Sequence, residues 1–226
     1  MSGEPLIVAI DGPAGAGKST VARKVAESLG ISYLDTGALY RAIALALDER
    51  RIAPAEGPDL NRALDEISID IDGGDVYING KSAGVEIRTP RADALVSSYA
   101  SLPAVRRRLL SLQREQGRKR PVVADGRDMA TVVFPGAPVK IFLTATDEER
   151  ARRRFKELKE RNEPVSFEKV LEQIRERDKA DSGREIAPLK MAADAVEVVT
   201  DGLSIEEVAQ VILSLVGRAS NEGAES

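Results

Sequence analysis

The feature that most constrains this chain is a glycine-rich segment near its start. An apolar stretch at residues 6–11 leads directly into residues 12–19, which have the spacing G-x-x-x-x-G-K-S, and a helical pattern follows. In such strand–loop–helix units, backbone N–H groups surround phosphates, the lysine bridges them and the serine hydroxyl contacts Mg²⁺. The pattern predicts a nucleoside triphosphate site made by Gly12, Pro13, Ala14, Gly15, Ala16, Gly17, Lys18, Ser19 and Thr20, with Ser19 as a metal ligand.

The alternative is a glycine-rich strand-to-helix turn that holds no ligand. Against it stand all the fixed residues of the motif, in the strand–loop–helix context that the motif requires. The helix expected over residues 19–29 also directs its positive N-terminal end at the same anion. The motif is therefore specific for nucleotide binding, but it does not identify the reaction.

Composition narrows the chemistry further. The 226 residues include no cysteine and no histidine, which excludes disulfides, thiolate metal sites and imidazole catalysis. No apolar run is long enough to cross a bilayer and residues 1–5 do not resemble a secretory signal, so we expect a cytoplasmic protein without a membrane partner. A formal net charge of −4 argues against a nucleic-acid partner. Arginine supplies 23 of the 33 basic residues and suits phosphate, although many of these can be ordinary solvated helix residues.

Alternation of strand and helix patterns predicts the fold. Short apolar runs typical of buried parallel strands are separated by segments with helical spacing. This order favours an α/β fold of the P-loop NTPase type, a mostly parallel sheet flanked by helices, with ligands at the carboxyl ends of the strands. Besides residues 6–11, the predicted strands cover 121–125, 139–143 and 195–199, and the predicted helices cover 19–29, 37–48, 90–103 in part, 105–117, 147–161, 167–180 and 204–216.

A different pattern interrupts this alternation. Residues 67–72 and 75–79 each alternate apolar and polar side chains about a Gly-Gly turn, which is typical of a β-hairpin. We therefore expect residues 55–90 to form a small β-containing insert. The main core would then consist of residues 1–54 and 91–217.

Two further segments stand apart from the core. The break at residues 162–164 between two predicted helices suits a short mobile lid at about 150–165. Residues 218–226 are small and polar, which predicts a disordered tail.

Three polar motifs lie at the ends of predicted strands or helices. Asp125-Gly-Arg-Asp128 follows a predicted strand, residues 35–41 open a helix with Thr36 as the expected N-cap, and residues 175–184 mix arginines with aspartates. Each has a local explanation without a ligand: a self-neutralising loop ion pair, a capped helix start and a solvated helix end, respectively. Taken singly, the motifs leave these alternatives open.

Together the motifs resemble those of bacterial cytidylate kinases, which transfer the γ-phosphate of ATP to CMP or dCMP. The resemblance covers about residues 6–216 and rests on Asp-Thr-Gly-Ala-Leu-Tyr-Arg at 35–41, Asp-Gly-Arg-Asp-Met-Ala-Thr-Val-Val-Phe-Pro at 125–135, and Glu-Arg-Asp at 176–178 followed by Ala-Pro-Leu. Thr36 replaces a serine and keeps its hydroxyl. The resemblance implies ATP and Mg²⁺ as cofactors, a nucleoside-monophosphate-binding role for the insert, and a short lid.

The resemblance also implies catalytic roles. The acceptor is a phosphate monoester with anionic oxygens, so no strong base is needed, and catalysis can depend on positioning and charge neutralisation. Arg41 and Arg127 would hold the acceptor phosphate, while Lys18 and Mg²⁺ would hold the donor. Lid arginines would cover the transferring group, unless they form an ordinary solvated helix face; the candidates are Arg150, Arg153, Arg154 and Arg161, of which we assign Arg153 to the catalytic set.

A cytosine pocket follows from the same comparison. Asp128 would accept a hydrogen bond from the exocyclic amine, and a uracil carbonyl at that position would oppose two acceptors, which predicts rejection of UMP. Ser97, Arg106 and Arg184 would donate to the base, and Arg177 and Asp181 match ribose-binding positions. The complete acceptor set is Thr36, Tyr40, Arg41, Ser97, Arg106, Arg127, Asp128, Arg177, Asp181 and Arg184.

Three other functions are alternatives to this interpretation. A GTPase switch would need an Asn-Lys-x-Asp guanine motif, which the sequence lacks. Another P-loop small-molecule kinase shares the glycine loop, and with a hydroxyl acceptor it could use Asp125 or Asp128 as a base. A non-catalytic nucleotide-binding module is the third possibility. We expect small-molecule nucleotides as partners and a monomeric protein.

Overall fold

The computed structural model describes residues 5–72 and 74–222, which form two sheets with eight flanking α-helices. The strands are β1 (Ile7–Asp11), β2 (Ser32–Asp35), β3 (Ile69–Asp72), β4 (Asp75–Ile78), β5 (Lys81–Ser82), β6 (Val122–Gly126), β7 (Val139–Thr144) and β8 (Val196–Val199). The main sheet has five parallel strands in the order β2-β6-β1-β7-β8, and a smaller antiparallel sheet has the order β3-β4-β5. The α/β fold expected from the sequence is confirmed. The helices are α1 (Lys18–Leu29), α2 (Thr36–Glu49), α3 (Pro58–Glu66), α4 (Pro90–Ala100), α5 (Pro103–Lys119), α6 (Asp147–Glu160), α7 (Phe167–Ser182) and α8 (Ile205–Glu222).

The main sheet is buried on both faces. Helices α2 and α5 pack against one face together with α3 and the small sheet, whereas α1 and α8 cover the other face. Strand β1 therefore has apolar side chains on both sides: Ala9 packs in the first cluster, and Val8 and Ile10 pack in the second. This two-sided burial explains why β1 is a continuous apolar run rather than an alternating one. Helices α6 and α7 form a separate, small apolar cluster of their own.

Several elements were not predicted, among them strand β2 and helix α3. Strand β2 is only four residues long and follows the helix-ending Gly30 after a single residue, so too few positions carry a strand pattern. Helix α3 lies inside the segment predicted to be β-containing, and only Leu60, Ala63 and Leu64 of its nine residues are buried. The predicted hairpin itself is confirmed as β3 and β4.

The C-terminal helix is longer than predicted. Helix α8 reaches Glu222 rather than ending near residue 216, so residues 218–222 of the tail expected to be disordered are helical. Residues 223–226 of that tail and residues 1–4 of the segment examined for a secretory signal lie outside the described residues. Within residues 5–72 and 74–222, no helix combines the length and the hydropathy of a membrane span.

Three neighbouring strands bring aspartates to one edge of the sheet. In the parallel register, Asp35 of β2 is opposite Asp125 of β6, and Asp11 of β1 is opposite Gly126 of β6. Because the strands are parallel, these residues lie at the carboxyl ends of the strands, where ligands bind in open α/β sheets. The glycine loop begins at the same edge, immediately after Asp11.

Candidate active site

The glycine loop is shaped by close packing and by left-handed backbone. A Cβ atom at Gly12 would lie 1.9 Å from the carbonyl oxygen of Leu143, so only glycine fits against β7. Gly17 has φ +86° and forms the N-cap of α1. The buried Lys18 ammonium donates to the carbonyl of Pro13 at 2.7 Å. Burial, followed by the charge of Arg127, holds the pKa of Lys18 well below its usual range, although Asp125 acts to raise it.

Ser19 faces a buried carboxylate. Its hydroxyl donates to Oδ2 of Asp125 at 2.8 Å, and the hydroxyl of Tyr33 donates to Oδ1 at 2.9 Å. Burial raises the pKa of Asp125 to about 6, with a further contribution from the charge of Asp35. A hydroxyl and a carboxylate oxygen at this distance, beside a phosphate loop, are the oxygen ligands that Mg²⁺ prefers. The pair therefore fits the ion, with Asp125 added to the ligand predicted from the motif.

A second buried aspartate organises the loop after β6. Asp11 accepts hydrogen bonds from the N–H groups of Met129 and Ala130, both at 2.8 Å. These residues begin a π-helical turn, Met129–Val133. Burial raises the pKa of Asp11 to about 6, although the two N–H groups act to lower it. Sequence reasoning missed this role, and the only signal was a carboxylate at the end of a strand with apolar residues on both sides.

The arginine and aspartates of the Asp125–Asp128 motif do not neutralise one another. Arg127 instead donates through Nε to Oδ2 of Asp181 at 2.7 Å, and Arg184 pairs with the other oxygen of the same carboxylate. Burial acts to raise the pKa of Asp181, but Arg127 and Arg184 outweigh it and the pKa is lowered. The local ion-pair explanation is therefore wrong, and α7 supplies the counter-charge from more than fifty residues away.

Asp128 is joined to α5. Its carboxylate pairs with Arg106, whose guanidinium carbon also lies 5.4 Å from the centre of the Tyr40 ring. Burial raises the pKa of Asp128, opposed by the charge of Arg106. These three residues line a cavity of about 240 Å³ that is otherwise mainly apolar. The buried Gln113 also lines this cavity; its amide makes no hydrogen bond of good geometry among the described residues, but it lies close enough to Tyr40 to act to lower the pKa of that hydroxyl.

Two buried guanidinium nitrogens have no partner in the part of the chain that the structure describes: Nε of Arg41 and Nε of Arg177. Burial lowers the pKa of Arg177 to about 10, and the nearby charges of Arg127 and Arg41 add to that effect. Both Arg127 and Arg177 also act on Lys18. Four cations thus share one region, and buried polar groups of this kind need a compensating anion.

The start of α2 differs from the prediction in one respect. Asp35, rather than Thr36, is the N-cap, since its Oδ1 accepts the N–H of Ala38 at 2.7 Å. The Thr36 hydroxyl instead donates to the backbone oxygen of Asp125 at 2.6 Å, which joins β6 to α2. The same carboxylate also lies 3.6 Å from Arg41.

The lid arginines have different surroundings. Arg150 is buried and donates to backbone oxygens of Ala14 and Ala145, so it packs under the phosphate loop rather than facing an open site. Arg153 donates to Thr200 through both terminal nitrogens, and its NH1 would lie 3.8 Å from a Cβ at Gly17.

The other two lid arginines contact the opposite side of the site. Arg154 donates to Asp93 at 2.7 Å and Arg161 donates to the carbonyl of Arg88 at 3.2 Å. These contacts connect α6 with the N-terminal region of α4. Ser97 lies half-buried on α4.

The structure therefore brings most of the predicted residues into two adjoining groups. One group is the glycine loop with Lys18, Ser19 and the unpredicted partner Asp125. The other contains Arg106 with Asp128, and Arg127 with Asp181 and Arg184. The two groups lie at the carboxyl edge of the sheet, where ligands bind in this kind of fold.

Comparisons with known proteins find similar chains over most of the sequence. A family model described as cytidylate kinase matches residues 8–218. The cytidylate kinase of Fervidobacterium nodosum is 51% identical over 209 residues, covering 92% of this chain and 95% of that protein. The cytidylate kinase of Thermosipho melanesiensis is 49% identical over 212 residues, covering 94% of this chain and 97% of that protein.

A solved structure extends the likeness in fold. The crystal structure of an uncharacterized protein from Eubacterium ventriosum covers 94% of this chain and 98% of its own, with a TM-score of 0.52 and 15% sequence identity. At that identity the likeness concerns the fold alone.

Proposed function

Since this chain belongs to the cytidylate kinase family, we propose that it transfers the γ-phosphate of ATP to CMP or dCMP, giving ADP and CDP or dCDP. An oxygen of the acceptor monophosphate attacks the γ-phosphorus, and the bond from that phosphorus to the bridging oxygen of ADP breaks. The enzyme is a phosphotransferase whose acceptor is itself a phosphate group.

The observation that carries this proposal is the cluster of Arg41, Arg127 and Arg177, in which the buried Nε atoms of Arg41 and Arg177 have no hydrogen-bond partner among the described residues and Arg127 and Arg177 act on Lys18. The chemistry must bring two anions together, so the protein must supply cations with donors still free for phosphate, and Arg41 keeps such a donor although Asp35 lies 3.6 Å from its guanidinium. Arg127 adds a further cation, held in orientation by Asp181. We propose that Arg41 and Arg127 bind the acceptor phosphate and that Lys18 and the loop amides bind the donor. Arg153, anchored on Thr200, would stand on the donor side.

Base selection belongs to Asp128. Its carboxylate is buried and already oriented by Arg106, which favours a ligand that donates a hydrogen bond. The cytosine amine is such a donor, whereas the uracil carbonyl is not. We assign the remaining acceptor contacts as the sequence predicts them, with Ser97, Arg106 and Arg184 at the base, Arg177 and Asp181 at the ribose, and Thr36 and Tyr40 at the acceptor pocket.

Mg²⁺ is part of the proposal. The Ser19 hydroxyl and the Asp125 carboxylate would hold it together with phosphate oxygens of the nucleotide. When bound, the ion would neutralise charge on the donor phosphates. The chain's own contribution is the orientation of both oxygen ligands, which Tyr33 and the hydrogen bond between them fix.

We also propose the finer organisation expected from the sequence. Residues 55–90 would bind the nucleoside monophosphate, residues 150–165 would form the lid, and both would close over the core at 1–54 and 91–217 to exclude water. The protein would act as a cytoplasmic monomer without a nucleic-acid or membrane partner. Light scattering on the protein as it elutes from a size-exclusion column would measure the oligomeric state.

The test is ADP release with ATP and Mg²⁺ across a panel of CMP, dCMP, UMP, AMP, GMP and shikimate. Rapid turnover with CMP and dCMP, and little with UMP, is the expected result. Activity with another acceptor would preserve a P-loop kinase and contradict the base pocket. A protein that binds ATP but responds to no acceptor would be a nucleotide-binding module instead.

A further inference from the structure

The peptide groups of Ala14, in the middle of the phosphate loop, are held from both sides by a single ion pair. The Ala14 N–H donates to Oδ1 of Asp178 at 3.1 Å, and the Ala14 carbonyl accepts from NH1 of Arg150 at 2.9 Å. Arg150 and Asp178 also pair directly with each other. The loop is thus attached to α6 and α7 at one residue.

The Arg150 half of this clamp is fixed. Its side chain is only 4% exposed, and its Nε donates to the carbonyl of Ala145 at 3.0 Å. It also pairs with Asp147. A Cβ at Gly15 would lie 3.1 Å from both Cβ and the carbonyl oxygen of Arg150, so the backbones of the loop and α6 are in direct contact. Asp178 is therefore the half of the clamp that connects the loop to the other helix.

Helix α7 also carries acceptor-side charges. Arg177 precedes Asp178, and Asp181 follows it by less than one helical turn and accepts from Arg127. A displacement of α7 would move these groups and the carboxylate at Ala14 together.

We propose that Asp178 is a positioning residue that fixes the phosphate loop at Ala14 and makes the geometry of the donor site depend on the position of the acceptor-binding helix. It acts through a backbone N–H and contacts neither phosphate group. A hydrogen bond to a charged acceptor is stronger than a neutral one, which suits a contact that must hold a glycine-rich loop. The inference rests on the proposed function, because it names α7 as the helix that binds the acceptor.

A purely structural role for Asp178 would be to join α6 to α7, and the chain contains a control for it. Glu148 of α6 pairs with Arg175 of α7 at 2.8 Å without touching the loop. Replacing Glu148 by glutamine breaks an ion pair between the same two helices. The comparison of Asp178→Asn with Glu148→Gln therefore separates loop positioning from helix pairing.

The experiment titrates a non-hydrolysable ATP analogue with Mg²⁺, alone and with saturating CMP, and titrates CMP alone. We expect Asp178→Asn to lower the affinity for the analogue by about tenfold, which is the effect of one charged hydrogen bond. The affinity for CMP should stay within about twofold of the wild-type value. Glu148→Gln should change the affinities for the analogue and for CMP by less than about twofold. In the wild type, CMP should alter the affinity for the analogue, and in Asp178→Asn that ratio should move toward one.

Asp178→Asn leaves Arg150 with fewer charged partners, so folding is checked with a second variant. The double substitution Arg150→Gln with Asp178→Asn removes both charges, alters both contacts to Ala14, and should lose at least as much analogue affinity as Asp178→Asn. The inference is overturned if these variants bind the analogue as the wild type does, if the analogue and CMP are weakened equally, or if CMP leaves analogue affinity unchanged in the wild type. None of the titrations requires phosphoryl transfer. A wild-type protein that binds both nucleotides but transfers no phosphate would contradict the proposed function alone.

Discussion

The proposed donor and acceptor sides of the site differ in how far their polar groups are already paired within the protein. On the donor side, the protein satisfies its own polar groups: Lys18 donates to Pro13 and Ser19 donates to Asp125. On the acceptor side, Arg127 is paired but Arg41 and Arg177 each keep a buried nitrogen without a partner. The polar groups of the donor loop are thus paired within the protein, whereas the acceptor side keeps hydrogen-bond donors free for a ligand, although Asp35 lies 3.6 Å from Arg41.

The two sides also differ in origin along the chain. The donor loop is a continuous segment, while the acceptor side combines α2, α5, the loop after β6 and α7. A change on one side should therefore affect its own nucleotide first. The following substitutions test that separation.

The largest expected effect comes from Lys18→Ala. Loss of the loop cation should lower phosphoryl transfer about a thousandfold, as expected when a positioned charge at a transferring phosphoryl group is removed. Affinity for CMP should stay within about twofold, measured by titration beside steady-state turnover. Lys24→Ala, on the exposed side of α1, serves as the control. An equal loss of CMP affinity would mean that the two sides are not separate.

Asp128→Asn should alter selectivity between bases. An amide can donate to the uracil carbonyl as well as accept from the cytosine amine, so the ratio of kcat/KM for CMP over UMP should fall about 10- to 100-fold. Competing turnover measurements with both nucleotides give this ratio directly. Glu115→Gln, which makes the same carboxylate-to-amide change at an exposed position of α5, is the matched control. An unchanged ratio would remove Asp128 from the base pocket.

Arg177→Met should separate binding from stability. Arg177 is buried and repelled by Arg127, so its removal should raise the free energy of unfolding of the ligand-free protein by about 1 kcal/mol. Affinity for CMP should fall about tenfold, the effect of one charged contact. Urea unfolding and CMP titration measure the two quantities. Arg175→Met, an exposed residue of the same helix, should produce no gain in stability. A variant that loses both stability and affinity would indicate a structural arginine.

The smallest expected effect belongs to Gln113→Met. The buried amide makes no hydrogen bond of good geometry, and its one polar neighbour is the Tyr40 hydroxyl, so an apolar side chain of similar volume should leave stability unchanged or raise it by less than about 1 kcal/mol. Turnover with CMP should remain within about threefold of the wild type, because Gln113 lies in the wall of the cavity and Asp128 supplies the base contact. Thermal unfolding and steady-state assays decide the matter. A clear loss of stability would mean that an ordered water or ligand satisfies the amide.

Residues that are contiguous in sequence were the most predictable. The glycine loop and four of the five parallel strands follow from local patterns, and at the start of α8 the reciprocal bonds of Ser204 and Glu207 form a capping box from residues three positions apart. Family resemblance supplied the assignments on the acceptor side, where local sequence left every motif ambiguous. The partners of Arg127 and Arg106 become apparent only when distant elements meet.

The misses have physical causes. Thr36 and Asp35 are both good N-caps. Asp35 caps the helix because the Thr36 hydroxyl donates its hydrogen bond to the backbone oxygen of Asp125. Arg150 lies in an arginine-rich helix that gives no sign of which members are buried. The role of Asp178 depends on one backbone N–H of a loop 164 residues away, for which a single sequence carries no signal.

The most direct test of the separation between donor and acceptor sides is a pair of titrations on Arg127→Ala. Because Arg127 is assigned to the acceptor phosphate, the variant should bind a non-hydrolysable ATP analogue within about twofold of the wild type while phosphoryl transfer to CMP falls about a thousandfold. Retained analogue binding with lost CMP affinity and turnover is the predicted result. Equal losses of affinity for the analogue and for CMP would contradict the assignment and the account built on it.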